Sequence, residues 1–151
     1  MPCRVCRSSC RMTSIPVVCA ILRRDDLILL AQRPEGKHLA LKWEFPGGKV
    51  EPSEDPQAAM VRELKEELGC EVEIAAALPR SSHAYERGVV EMIPFICRLT
   101  SNSSEPHPHE HAALAWVTME ELQGYDLAPA DWPVVEALKR RFEIEDPRFK
   151  T

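Results

Sequence analysis

The sequence predicts a single α/β domain in which strands outnumber helices. A chain of 151 residues has the length of one domain, which spans about 100–200 residues. Six short runs are typical of strands, whereas two longer segments carry apolar residues at helical spacing. The hydrophobic share of 44% and the charged share of 28% exclude a long disordered, collagen-like or membrane-spanning chain. We expect a domain at residues 15–143 between flexible tails at 1–14 and 144–151.

The N-terminal part begins with a predicted β-hairpin. Residues 17–22 and 27–31 are apolar runs, and the charged residues 23–26 between them are typical of a turn. A brief strand at 43–45 follows. The proline and two glycines at 46–48 are expected to end that strand and to begin a loop.

A helix between residues 55 and 69 has clear start and stop signals. Asp55 is a good N-cap, and Pro56 suits the first turn, where its missing N–H has no helical partner. Gly69 suits the left-handed position that ends many helices. Three apolar residues recur between them at helical spacing: Val61, Leu64 and Leu68.

The C-terminal part is predicted to add three strands and a second long helix. The strands are the apolar runs at 71–78, 89–99 and 113–117. Residues 101–111 form a polar loop with two prolines, and residues 118–122 form a short helix. The final helix is expected to open at Asp131 and to run to about Phe142.

The cysteines do not indicate a secreted disulfide framework. Three of the six lie in the first ten residues, and the other three lie inside apolar runs. Cys3 and Cys6 have metal-ligand spacing, but only Cys10 is near and no histidine precedes His38. The apolar stretch at 15–22 is followed by charged residues instead of a signal-peptide cleavage site, so we expect a cytoplasmic protein.

The charge balance argues against polyanionic partners. Lysine and arginine number 19 against 24 acids, which leaves a net charge of −5. Such a chain has no general attraction to nucleic acid polymers or to an anionic membrane surface. An anionic small substrate would therefore need cations recruited locally, and metal ions are one source.

The predicted helix carries an uncompensated acidic face. Glu63, Glu66 and Glu67 stand at positions i, i+3 and i+4, which places them within an arc of about 100°. Acids at these spacings repel each other. A hard divalent cation such as Mg²⁺ relieves this repulsion, while a solvated acidic surface is the alternative interpretation.

Residues beyond the helix favour the metal interpretation. The pattern Gly-x5-Glu-x7-Arg-Glu-apolar-x-Glu-Glu-x-Gly-apolar runs from Gly48 to Cys70 and fixes seven residue identities. It resembles the Nudix box. The preceding stretch from Arg33 to Glu51, with its Glu-Phe-Pro-Gly-Gly run, looks like that of MutT-type Nudix hydrolases, and the similarity covers about residues 15–138.

This resemblance implies a fold and a metal site. The expected fold is the Nudix-type α/β/α sandwich, with a mixed β-sheet between helices. Mg²⁺, with Mn²⁺ as a substitute, would be held by the Gly47 carbonyl and by four acids, namely Glu63, Glu66, Glu67 and Glu110. Arg62 is expected to pair with Glu54 or with a neighbouring acid and so to support catalysis. The histidines of the 106–111 run are expected to be loop residues, because the acids already supply a hard-metal site.

The resemblance also suggests substrate contacts. Arg33 occupies the position of a phosphate-binding arginine, and His38 lies in the same stretch. Phe45 is placed to pack beside a base, although a strand phenylalanine is more often a core residue. Arg87, in the 85–88 turn, is a weaker candidate.

Asp131 stands where guanine-directed MutT-like proteins carry asparagine. An ionised carboxylate only accepts hydrogen bonds, which favours the amino group of cytosine, while a protonated carboxyl also suits a guanine edge. The alternative is that Asp131 only caps the final helix.

The expected activity is metal-dependent hydrolysis of (deoxy)nucleoside triphosphates to monophosphate and pyrophosphate, as in sanitation of oxidised nucleotides such as 8-oxo-dGTP. The first alternative is a pyrophosphohydrolase of CTP, dCTP or modified cytidine nucleotides. The second is a catalytically silent nucleotide-binding module, although no box acid is lost. The sequence contains neither a P-loop nor a nucleophile elbow, which argues against those chemistries. The oligomeric state stays open.

Overall fold

The computed structural model describes residues 14–145, which form a mixed sheet with helices on both faces. Within them, eight strands and three helices are numbered in chain order. The strands are β1 (Ser14–Arg24), β2 (Leu27–Gln32), β3 (Trp43–Glu44), β4 (Gly47–Lys49), β5 (Val72–Ala77), β6 (Ser81–Tyr85), β7 (Gly88–Leu99) and β8 (Ala113–Val117). The helices are α1 (Pro56–Leu68), α2 (Met119–Leu122) and α3 (Trp132–Glu145), with a 3₁₀ turn at Pro129–Asp131. The predicted tail at 1–14, apart from Ser14, and the predicted tail at 144–151, apart from residues 144 and 145 of α3, lie outside the described residues. Cys3, Cys6 and Cys10 also lie outside them.

The strand order is β3-β2-β1-β7-β5, with β4 beside β1, β6 beside β7 and β8 beside β2. The long strands β1 and β7 run parallel, in a register that pairs Ser14 with Val89 and Arg23 with Arg98. The other pairings are antiparallel. The predicted mixed sheet and the β1–β2 hairpin are therefore confirmed.

Alternation along β1 gives the domain two separate cores. Val18, Ala20 and Leu22 pack on the face covered by α1, together with Ala59, Met60, Leu64 and Leu68. Cys19 and Ile21 point to the opposite face, which α3 covers with Val134, Val135, Leu138 and Phe142. Successive strand residues face opposite sides of a sheet, so one strand supplies both layers of the sandwich. The predicted α/β/α arrangement is confirmed.

Helix α1 begins and ends where the sequence predicts. The Asp55 carboxylate accepts hydrogen bonds from the backbone N–H groups of Gln57 and Ala58 at 3.0 and 3.2 Å. Gly69 ends the helix with φ of 68°, a left-handed conformation that strains residues with a side chain.

In the described residues, no helix is long and apolar enough to cross a membrane.

Two strands differ from the sequence prediction. Gly47 and Gly48, expected in a loop, form β4 and pair with Cys19 and Val18 of β1. The pairing depends on the missing side chain, because a Cβ at Gly47 would lie 1.9 Å from the Val18 carbonyl oxygen. Strand β6 was not predicted, since its Ser-Ser-His start is polar. The helix α3 starts at Trp132, because the segment up to Asp131 forms the 3₁₀ turn.

Candidate active site

A cavity of about 380 Å³ lies beside the middle of β1. Its walls come from strands β1, β3, β4, β6 and β7, from the loops after β2 and β3, from the loop before β8, from the end of α1 and from the 3₁₀ turn with the residue before it. The predicted site residues that line it are Arg33, His38, Phe45, Gly47, Glu67, Glu110 and Asp131. The remaining predicted site residues do not line it: Glu54, Arg62, Glu63, Glu66 and Arg87.

Arg62 organises the acidic face of α1. Its guanidinium makes a two-point contact with Glu54, from Nε at 2.7 Å and Nη2 at 2.8 Å. The same group reaches Glu63 at 3.2 Å and Glu66 at 3.3 Å. The hydrogen bond from Arg62 lowers the pKa of Glu54 to about 2. The predicted pairing of Arg62 is confirmed, and it fixes the loop between β4 and α1, which carries Glu54, on the helix.

Gly48 lets the Glu63 carboxylate lie directly against the backbone of β4. A Cβ at this position would stand 2.4 Å from Cδ and Oε1 of Glu63. Burial raises the pKa of Glu63, although Arg62 acts in the opposite direction. Gly48 and Arg62 together hold this carboxylate in a confined place between strand and helix.

Glu67 is the acid that connects the helix with the cavity. Burial raises its pKa to about 8, and the carboxylates of Glu63, Glu44 and Glu110 add to the effect. Its Oε1 atom is buried and has no hydrogen-bond partner among residues 14–145. Concentrated negative charge and an unpartnered carboxylate oxygen fit a hard divalent cation.

The acids are not gathered around a single point. Within residues 14–145, no three acidic, histidine or cysteine side chains converge closely enough to hold a metal ion. Glu63 and Glu66 are both engaged by Arg62, which balances part of their charge. The metal site therefore stays a prediction that the chemistry of Glu67 supports.

Glu110 reaches the cavity because its loop is tied to the end of α1. The N–H groups of His107 and His109 donate to the carbonyls of Leu68 and Glu67, at 2.9 and 3.2 Å. These bonds satisfy carbonyl groups that the end of a helix leaves open. Glu110 itself is exposed and lies near enough to Glu67 to raise its pKa.

Asp131 lies at the buried wall of the cavity, with 2% of its surface exposed. Its Oδ2 accepts a hydrogen bond from the N–H of Phe45 at 3.2 Å. Burial, and then the Glu44 carboxylate, raises the pKa of Asp131 well above its ordinary value. Asp131 ends the 3₁₀ turn directly before α3, and the hydrogen bond that the structure gives its carboxyl goes to Phe45 in another element, so the role as cap of the final helix stays a prediction. Phe45 is buried in the α3-side core, as expected, and also lines the cavity, while its packing beside a base stays a prediction.

A chain of three side chains along the cavity was missed by the sequence analysis. Glu44 accepts hydrogen bonds from Nη1 of Arg33 and Nε2 of His111, both at 3.1 Å. Arg33 also donates from Nε to the carbonyl of His38 at 2.7 Å. Glu44 belongs to the Glu-Phe-Pro-Gly-Gly run, which was a usable signal. His111 was expected to be an ordinary loop residue, and nothing in its sequence context indicated its contact with Glu44.

Tyr85 is a further wall residue that the sequence did not reveal. Its hydroxyl accepts from the N–H of Ala130 at 3.0 Å, and the His38 ring meets it edge-on at 5.3 Å. It therefore joins the loop after β2 to the 3₁₀ turn. Arg87, two residues later, is exposed in the β6–β7 turn and is not brought to the cavity.

A NUDIX domain model matches residues 13–138 of the chain. The chain belongs to the Nudix family. An Escherichia coli CTP pyrophosphohydrolase is 42% identical over 126 residues, which cover 83% of this Nudix chain and 92% of that protein. An 8-oxo-dGTP diphosphatase of the same species is 30% identical over 131 residues, covering 85% and 99%.

Solved structures agree with this assignment to the Nudix family. The solution structure of the E. coli ORF135 protein has a TM-score of 0.76 and 39% identity, and covers 90% of this chain and 95% of that one. The crystal structure of a MutT NUDIX hydrolase from Burkholderia pseudomallei has a TM-score of 0.70 and 26% identity, with coverage of 83% and 98%. The predicted resemblance and fold are confirmed, and the protein is a Nudix pyrophosphohydrolase.

Proposed function

We propose that this Nudix pyrophosphohydrolase cleaves nucleoside triphosphates to the monophosphate and pyrophosphate. One observation carries the proposal: a single cavity is lined both by the acids Glu67 and Glu110 and by the buried carboxyl of Asp131. The first two suit the polyphosphate with its cation, and Asp131 suits a nucleobase edge. The partner is therefore a small nucleotide, and the chain is proposed to bind neither nucleic acid polymers nor membranes.

Mg²⁺, with Mn²⁺ as a substitute, would be held by the carboxylates of α1, the Gly47 carbonyl and Glu110. When bound, the cation would neutralise charge on the phosphate oxygens and lower the barrier to attack by water. The chain would supply Arg33 to bind phosphate oxygens and a glutamate to orient or deprotonate the water. Arg62 and Glu54 would act by keeping the carboxylates of α1 in position.

Oxidised guanine nucleotides such as 8-oxo-dGTP are the first candidate substrates. The raised pKa of Asp131 favours a protonated carboxyl, which donates and accepts in the manner of an asparagine amide. Hydrolysis of such nucleotides would serve nucleotide-pool sanitation in the cytoplasm and so DNA repair.

Cytidine nucleotides are the second candidate. The E. coli relative with 42% identity bears the name CTP pyrophosphohydrolase. Glu44 lies close to Asp131 and contributes a carboxylate that accepts from amino groups. Two acceptors at one wall suit the exocyclic amino group of cytosine.

The test is a panel of ribo- and deoxynucleoside triphosphates, including 8-oxo-dGTP, incubated with Mg²⁺ or with a chelator and resolved by chromatography. We expect Mg²⁺-dependent release of monophosphate and pyrophosphate from at least one of them. Orthophosphate as the main product, or no turnover of any nucleotide, would refute the proposal. We also expect water to attack the β-phosphorus: in ¹⁸O water, label in the pyrophosphate supports this position, whereas label only in the monophosphate contradicts it.

Asp131→Asn discriminates between the two substrate classes. If the carboxylate accepts from the cytosine amino group, the ratio of cytidine to guanine-type hydrolysis shifts at least fivefold toward guanine types. The loss of a buried recognition contact costs about 1–3 kcal/mol, or roughly 5–150-fold in kcat/KM. An unchanged ratio would mean that a protonated Asp131 already does what the amide does.

A further inference from the structure

The side chain of His111 is buried, although it belongs to a loop with several exposed residues. Only 6% of its side chain is accessible, whereas His107, His109 and Glu110 are all exposed. The ring reaches across the cavity wall to Glu44, with 3.1 Å between Nε2 and Oε2. The contact joins two residues that are 67 positions apart in the chain.

The hydrogen-bond partners of Glu44 determine what His111 contributes. The other oxygen of Glu44 accepts from Arg33 at 3.1 Å, so this side chain acts as a charged acceptor. A carboxylate cannot donate, and Nε2 of His111 must therefore carry the proton of this bond.

The opposite ring nitrogen shows that packing alone does not explain the histidine. Nδ1 of His111 is buried and has no hydrogen-bond partner among the residues that the structure describes. An unpartnered buried polar atom costs free energy, which an apolar side chain of similar size would avoid. The ring is thus at this position for the bond that its Nε2 makes.

The position of Glu44 gives that bond a functional meaning. Its carboxylate raises the pKa of both Glu67 and Asp131, so it lies near the acidic residues and near the proposed base contact. Glu44 and His111 both line the cavity, and the residue before His111 is Glu110. A shift of Glu44 would therefore be felt by a nucleotide in the cavity.

We propose that His111 is a positioning residue for nucleotide binding: its Nε2–H holds the Glu44 carboxylate against Arg33, in the orientation that contacts the nucleoside. The inference rests on the proposed function, since it assumes that the cavity takes a nucleotide. His111 acts through Glu44 and makes no contact of its own with the reacting atoms.

The test compares His111→Leu, which removes the donor, with His111→Gln, which places an amide N–H near the position of Nε2. For the triphosphate that the wild type hydrolyses fastest, we expect KM to rise about tenfold in the leucine variant, with kcat within threefold. The glutamine variant should stay within threefold of the wild type in both. His107→Leu, a change at an exposed histidine of the same loop, is the matched control and should leave KM and Tm unchanged.

A double-mutant cycle separates positioning from general support of the fold. In a Glu44→Ala background, His111→Leu should change KM less than twofold further, because the residue through which it acts is already absent. Calorimetric titration of the metal-free proteins with CMP and GMP measures binding without turnover. For the nucleotide that the wild type binds, affinity should be similar in the wild type and His111→Gln and weaker in His111→Leu, in the same order as the KM values.

Several outcomes would overturn the inference. One is an unchanged KM in His111→Leu. A second is an equal rise of KM in the leucine and glutamine variants together with a lower Tm. A third is a further tenfold rise of KM when His111→Leu is added to Glu44→Ala. The proposed function fails separately, if the wild type hydrolyses no triphosphate of the panel.

Discussion

Replacing Gly48 by alanine tests whether the place of the Glu63 carboxylate sets the rate. A Cβ there would stand 2.4 Å from Oε1 of Glu63, and ordinary contact begins at 3.4 Å, so the carboxylate must retreat by about 1 Å. A displacement of that size in a catalytic site can cost about 100-fold in rate. The backbone of Gly48 is not among those with positive φ, so alanine fits the strand itself. We expect kcat to fall about 100-fold, while Tm falls by no more than about 2–4 °C, which corresponds to about 1 kcal/mol.

The assay measures initial rates against Mg²⁺ concentration on the preferred triphosphate, together with thermal unfolding. Two further variants serve as controls. In Gly48→Ala combined with Glu63→Gln, the alanine should add little, because the displaced carboxylate is already lost. Gly47→Ala should instead lower Tm by more than about 10 °C, because its Cβ meets the Val18 carbonyl at 1.9 Å and the backbone cannot yield as a side chain does. A folded Gly48→Ala protein with the kcat of the wild type would refute the reasoning.

Three further predictions concern the charged groups. Glu67→Gln should lower kcat by several orders of magnitude. The folded metal-free protein keeps the Glu67 proton to higher pH than the unfolded chain does. The wild type should therefore lose stability as the pH rises from about 4.5 to about 8. Thermal unfolding across this pH range should show a smaller loss of stability in the variant. Arg62→Lys should raise the Mg²⁺ concentration for half-maximal rate about 10–100-fold, because lysine cannot make the two-point contact with Glu54. An unchanged Mg²⁺ concentration for half-maximal rate would contradict the proposal that Arg62 keeps the carboxylates of α1 in position. Asp131→Asn should be more stable than the wild type in urea unfolding at pH 8. The reason is that the buried carboxyl of the wild type costs stability above the ordinary aspartate pKa of about 3.9. Equal stability of the two proteins at pH 8 would be evidence against the raised pKa.

Local signals explain why the acid-bearing helix was predicted almost to the residue. Asp55, Pro56 and Gly69 each act within one turn of a helix end, and the acids of the box are spaced along one face of that helix. The strands and helices of the α/β domain followed in the same way from the pattern of apolar runs, whereas the sandwich arrangement came from the resemblance to the Nudix family. These features require no knowledge of which segments meet in space.

Long-range pairing accounts for what the sequence did not reveal. Gly47 and Gly48 become a strand only because β1 lies beside them, and the polar β6 is a strand because it pairs with β7. The same holds for the site, where the Glu44–His111 contact spans 67 positions. The sequence left Asp131 with two possible roles, a base contact and a helix cap, and its burial against Phe45 places it in the cavity wall.

The two cores on opposite faces of β1 support different parts of the proposed site. Cys19 and Phe45 belong to the core under α3 and also line the cavity, whereas Leu64 and Leu68 anchor the acid-bearing helix in the other core. Protein interiors are close-packed, so a change of side-chain volume is felt mainly by its own neighbours. Substitutions that reshape the α3-side wall of the cavity would therefore accumulate in one layer without repacking the helix in the other. A fold partitioned in this way lets substrate preference drift while the hydrolytic apparatus is inherited intact.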